Sequence, residues 1–149
     1  MSGSDITPCI DVSFKKIFGT EENKDLLISL INSIVLPEDR IDNIVLLNQY
    51  NLQDFEGEKT TILDIKARGE SELHKNKMIE IEIQVVNEYN YEKRALHYWS
   101  KSYSDQIKED EDFDILLKTI GIHFLNFNLK KNPGDYHNVF RIKESSRWG

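Results

Sequence analysis

The sequence predicts an α/β protein, and three observations carry the prediction. Apolar residues recur at helical spacing near the N-terminus and again over residues 90–108, residues 60–68 and 79–85 alternate between apolar and polar, and a dense apolar stretch follows the second helical region. The chain has 149 residues, 39% hydrophobic and 30% charged, with 7 Gly, 3 Pro and a lone Cys9. That is ordinary globular composition at the length of one domain, long enough to bury a core without a disulfide or metal framework.

Taken in order, Asp11 precedes Val12, Phe14, Ile17 and Phe18, a spacing that predicts a short helix capped by Asp11 and stopped at Gly19. Asn23 then caps a longer helix in which Leu26, Leu27, Leu30, Ile31 and Ile34 recur until Pro37 ends it. The apolar density from Ile44 to Leu52 reads as a strand, and Gly57 marks a turn. Leu63, Ile65 and Ala67 alternate with Asp64, Lys66 and Arg68, the pattern of a half-buried strand. After a polar loop over 69–76, Ile79, Ile81, Ile83 and Val85 alternate with Glu80, Glu82 and Gln84, so the two strands are expected to form a hairpin. Over 90–108 an amphipathic helix places Ala95, Leu96, Trp99, Tyr103 and Ile107 on one side and Arg94, Tyr98, Lys101 and Asp105 on another. Glu109–Asp112 reads as a solvated loop, Ile115–Leu129 as a buried strand with a turn near Lys118–Gly121, and Val139–Lys143 as a last short strand.

The formal charge of −7 argues against a protein that coats nucleic acid by bulk electrostatics, which requires many Lys and Arg. The acidity is N-terminal: residues 1–58 hold 4 basic against 11 acidic residues, 59–108 hold 9 against 8, and 109–149 hold 6 against 7. The middle segment is thus left able to face phosphate, although a salt-bridged surface has the same composition. There is no apolar run long enough for a membrane span and no signal-peptide pattern in the first thirty residues, so a cytoplasmic protein with no membrane partner is expected.

Most familiar chemistries find no support. His74, His97, His123 and His137 are too scattered for a zinc motif and are expected to be structural or surface residues. No phosphate-cradling glycine loop and no nucleophile elbow occurs. What remains is Asp64 on the polar face of one strand, with Glu82 and Gln84 two residues apart on the polar face of the next. Two converging carboxylates suit Mg²⁺, which takes oxygen ligands and uses few protein carboxylates. The polar side of an ordinary antiparallel strand shows the same pattern.

The surrounding residues resemble the PD-(D/E)xK superfamily, in its recombination-promoting nuclease or putative transposase branch. Asp11-Val12-Ser13-Phe14-Lys15-Lys16-Ile17-Phe18-Gly19 is similar to that family's D-x-x-F-K-x-I-F-G opening, Leu63-Asp64-Ile65 to its L-D-[IV] strand, and Ile81-Glu82-Ile83-Gln84 to its I-E-[IM]-Q strand. Arg94, Tyr98, Ser100, Tyr103 and Gln106 fit its R-x-x-x-Y-x-S-x-x-Y-x-x-Q helix, and Ile120–Leu125 stands where its next strand follows. The five pieces fall in order over residues 11–129.

The resemblance implies a restriction-endonuclease-like core, α-β-β-β-α-β around a mixed sheet flanked by helices. It further implies a metal-dependent DNA endonuclease using Mg²⁺ or Mn²⁺ and associated with recombination or mobile elements. Asp64 and Glu82 become metal ligands and Gln84 stands where many relatives carry Lys. An amide orients water or a ligand but supplies no charge, so Lys66, on the Asp64 face, is a candidate source of the missing cation. Glu80 is a candidate third acid, with a strand-end position in solvent as its alternative, and Asp11 a candidate metal-site neighbour, with the helix cap as its alternative. Arg94, Tyr98 and Lys101 are expected to approach the DNA backbone. Double-strand cleavage needs two active sites, which a homodimer would supply, or two successive nicks. The competing reading is a catalytically inactive nuclease fold serving as a binding or regulatory module. Residues 1–149 are expected to form one nuclease-like domain, which can lack the C-terminal region of longer relatives.

Overall fold

A computed structural model describes residues 7–48, 65–84, 90–129 and 136–143, with the side chains of residues 7–12 and 84 left out of that description. Two helices, α1 (Thr7–Phe18) and α2 (Lys24–Ile34), lead into strands β1 (Asn43–Leu46), β2 (Ile65–Glu70) and β3 (Lys77–Gln84). Helix α3 (Tyr91–Ser104) then connects β3 to β4 (Lys118–Leu125). The strands lie in the order β1-β2-β3-β4. β1–β2 and β2–β3 are antiparallel, whereas β3–β4 is parallel. A parallel pair needs a crossover rather than a tight turn, and α3 supplies it.

The register separates two unlike faces. Ile65 pairs with Ile81, Ala67 with Ile79, Leu46 with Ala67, and Ile79 and Ile81 with Ile120 and Ile122. All of these except Ile120, which is partly buried against them, form the buried core with Leu27 and Ile31 of α2 and Ile41 and Ile44. Each fully buried Leu or Ile side chain among them contributes about 1.5–3 kcal/mol of apolar transfer. Phe14 and Phe18 of α1 pack against the same core, and Phe14 reaches Phe124 at 5.7 Å between ring centroids. Asn32 ties α2 to the entry of β1 by donating to the Ile41 carbonyl and accepting its N–H, at 2.8 and 2.9 Å. On the other face, Lys66 opposes Glu80, Glu80 opposes Gly121 and Glu82 opposes His123.

The hairpin, both N-terminal helices and the helix after the hairpin follow the sequence expectations, and the mixed sheet flanked by helices is the predicted fold class. Four details differ. Asp11 lies inside α1, which begins at Thr7, so it does not cap that helix. β2 runs on to Glu70, past the expected loop start. β4 is continuous through Lys118–Leu125 with no turn at Gly121. That glycine makes room for a neighbour, since a Cβ there would lie 3.1 Å from His123 Nε2. Residues 139–143 form no strand; Val139 and Ile142 are exposed, and their apolar character finds no sheet edge among the described residues. The expected strand and turn segments over 49–64 lie outside the described residues.

Candidate active site

β3 is the inner strand of the parallel pair and carries both acidic candidates that the structure describes. Glu80 is 3% and Glu82 1% exposed. The alternative that Glu80 points into solvent is therefore corrected: the polar face of β3 is roofed by α3, whose own polar side chains reach down to it. Ser102 donates from its hydroxyl to Glu80 Oε2. Trp99 donates its indole N–H to the Thr119 carbonyl at 2.8 Å. Just beyond α3, Gln106 accepts from the Leu117 N–H at 2.8 Å and donates to Thr119 Oγ1 at 2.7 Å. Hydrogen bonds stabilise buried polar groups, and Ser102, Trp99 and Gln106 make theirs to β3 and β4.

Beside Glu82, β4 presents His123. Its Nδ1 stands 3.7 Å from Glu82 Oε2 and 2.8 Å from the Tyr91 hydroxyl. Burial lowers the His123 pKa below its usual 6.5, so the ring is neutral near pH 7 and its approach to Glu82 is not an ion pair. Burial first, and then the charge of Glu82, raise the Tyr91 phenol well above its usual value near 10.0, so the hydroxyl keeps its proton. Tyr91 is the first residue of α3, following Asn90 in the left-handed conformation at φ 62°. The Asn90 carbonyl accepts from the N–H groups of Lys93 and Arg94, which fixes the first turn.

The remaining candidates are placed unequally. Lys66 opposes Glu80, not Glu82, and with Glu80, Ser102 and Asp105 lines a cavity of about 130 Å³. Arg94 is half-buried with its guanidinium carbon 5.3 Å from the Tyr98 ring centroid, and Lys101 is exposed. The expected division of α3 into apolar and polar sides is corrected. Tyr91 and Ser102 face the sheet, whereas Leu96 is 56% exposed and Tyr103 stacks on Trp99 near the surface. A helix covering acidic residues turns polar atoms inward, and apolar periodicity does not report that. Asp64 lies outside the described residues, and for Asp11 and Gln84 only the backbone is described.

Sequence reasoning set His123 aside and assigned no role to Tyr91, Ser102 or Gln106. A signal for His123 was present: Thr119, Gly121 and His123 alternate with Ile120, Ile122 and Phe124, so the polar member at 123 falls on the acidic face of the sheet. Among the described residues no cluster of three His, Cys, Asp or Glu side chains could cage a metal, and no helix is long and apolar enough to cross a membrane. The donor type on β3 nevertheless suits a hard cation, since carboxylate oxygen is what Mg²⁺ prefers and it needs only one or two such groups.

A four-stranded mixed sheet with helices on both faces, a parallel pair bridged by α3 and a buried acidic residue on the inner strand is a restriction-endonuclease-like PD-(D/E)XK arrangement. The model of the family described as PD-(D/E)XK nuclease family transposase matches residues 8–147, and the chain belongs to that family. Comparison with curated proteins and with solved structures found no match. Membership brings a nuclease or transposase type of function with DNA as the implied substrate.

Proposed function

We propose that this protein is a divalent-metal-dependent DNA endonuclease in which Asp64 and Glu82 hold Mg²⁺ or Mn²⁺. The observation that carries the reading is the pairing Ile65↔Ile81 beside the buried Glu82. Asp64 adjoins Ile65 in the sequence as Glu82 adjoins Ile81, so the two candidate ligands would share a face if that pairing ran one residue further. Both are carboxylates, the donor type that a hard divalent ion accepts. When bound, such an ion lowers the pKa of a coordinated water and offsets charge building on the phosphodiester.

The chain's own residues do the rest. Glu82 enters the site already desolvated by α3, which strengthens its attraction for a cation relative to an exposed carboxylate. Gln84 follows Glu82 by two residues on the same strand face, and its amide offers one acceptor and two donors to orient water or a phosphate oxygen. Lys66 contributes positive charge on that face from beside Glu80, and Asp11 is a supporting acid from α1. Lys101, with Arg94 and Tyr98 on the same helix, is the backbone-contacting group for a duplex laid against α3, a role that positions DNA without reading its sequence.

Plasmid cleavage in Mg²⁺ or Mn²⁺ tests the reading. Wild-type protein nicks or linearises the plasmid, chelation stops it, and Asp64→Ala and Glu82→Gln each lower the rate by two orders of magnitude or so, the scale of losing a group that stabilises transition-state charge. Cleavage unchanged in either variant refutes the assignment.

A further inference from the structure

The charge of this acidic chain is unevenly placed, and its most basic stretch follows β4. Residues 1–128 hold 14 Lys and Arg against 24 Asp and Glu, whereas residues 129–149 hold 5 against 2. Within that stretch the structure describes residues 136–143, all of them exposed and in neither helix nor strand. They include Arg141 and Lys143 and no acid. Tyr136 is fully exposed and Phe140 63% exposed. Exposed aromatic side chains interleaved with cations, on an otherwise acidic protein, are the composition of a nucleic-acid contact rather than of a core.

Chain connectivity keeps this segment near the candidate ligands. β4 runs parallel to β3 and ends with Leu125 opposite Gln84, so the chain leaves the sheet at the Glu82 end. Phe127 then packs edge-on against Tyr91, with ring centroids 5.5 Å apart, which fixes the chain after β4 to the start of α3. Tyr136 follows Leu129 by seven residues, so it lies within about 25 Å of Leu129. Cations on such a segment replace counterions along phosphate. A duplex hides its base faces, whereas an unpaired strand offers them to an exposed aromatic ring. We propose that residues 136–143 form an arm that grips an unpaired DNA strand near the active site, with Arg141 and Lys143 on its phosphates and Tyr136 stacked on a base. The inference rests on the reading of DNA as the substrate.

The test is fluorescence anisotropy of a labelled oligothymidylate, and of a labelled duplex, with the full chain in EDTA from about 50 to about 200 mM salt. Plasmid cleavage in Mn²⁺ is followed alongside. Wild type binds the single strand more tightly than the duplex. Arg141→Gln with Lys143→Gln lowers the slope of log affinity against log salt by about 1.4, two phosphate contacts at about 0.7 each on a single strand. Tyr136→Ala keeps the slope and weakens single-strand binding about fivefold or more, the lower end for losing one stacked base, with duplex binding unchanged. Arg40→Gln with Lys75→Gln, the same charge change at exposed positions elsewhere, keeps the wild-type slope. All five positions are exposed, so these variants keep the wild-type melting temperature. A wild-type slope in the Arg141 and Lys143 variant, an equal loss in the Arg40 and Lys75 variant, or wild-type single-strand affinity in Tyr136→Ala overturns the arm, while plasmid cleavage upholds DNA as substrate. Neither binding nor cleavage of DNA by wild type overturns that reading and the arm with it.

Discussion

Replacing Gln106 with alanine should unlatch the C-terminal end of α3 from β4, at a cost that the geometry sets. The carboxamide accepts from the Leu117 N–H at 2.8 Å, donates to Thr119 Oγ1 at 2.7 Å, and makes a longer donation to the Leu117 carbonyl at 3.3 Å. A typical net hydrogen bond contributes about 1 kcal/mol, and the site is only partly buried, so water recovers part of the loss; the expected destabilisation is about 2 kcal/mol. In a domain of this size that lowers the melting temperature by about 4–8 °C. Urea unfolding followed by tryptophan fluorescence measures it, because Trp99 lies in the same layer and donates to the Thr119 carbonyl. The midpoint should fall with the slope unchanged. A loss below about 0.5 kcal/mol, the size of a neutral surface substitution, would refute the claim that Gln106 latches the helix. Gln106→Glu serves as a control that keeps the acceptor for Leu117 and gives up the amide donors.

Two further outcomes follow from the same packing. At Gly69 an added Cβ would come within 2.6 Å of Ile41 Cγ2 and 2.9 Å of Ile79 Cδ1, both in the core. Overpacking therefore outweighs the backbone-entropy gain, and Gly69→Ala destabilises by about 1–2 kcal/mol in a chemical denaturation curve. The lowered pKa of His123 makes folding sensitive to acid. Below the ordinary 6.5 the unfolded chain takes up a proton that the buried ring resists, so stability is full above that pH and declines as pH falls through the interval down to the folded value. The decline should be smaller in His123→Gln when unfolding free energies are compared between pH 7.5 and 5.5, and equal slopes would contradict the burial account.

The strand pairing was legible because alternation fixes which side of a strand is apolar: Ile65 and Ala67 meet Ile81 and Ile79 as their spacing requires. That Glu80 and Glu82 share one side of β3 was legible for the same reason. What lay over the polar side was not. A run such as Glu80-Ile81-Glu82 has one pattern whether its acids face water or a helix, and only tertiary contact showed that α3 covers them. Gly121 reads in sequence as a turn, yet in the strand it clears space for an imidazole two residues on. Asp11 has the chemistry of a cap but sits within α1, because Thr7 and Pro8 already begin the helix. The pairing of His123 with Glu82 depends on the register of two parallel strands separated by a crossover helix, a relation without local spacing to announce it.

The central claim is that one divalent ion sits between Asp64 and Glu82. Anomalous diffraction from crystals soaked in Mn²⁺ tests it most directly. The account predicts a manganese peak coordinated by a carboxylate oxygen of each residue, lost in Glu82→Gln. A peak coordinated elsewhere, or none at millimolar Mn²⁺ with both carboxylates ordered, would contradict it.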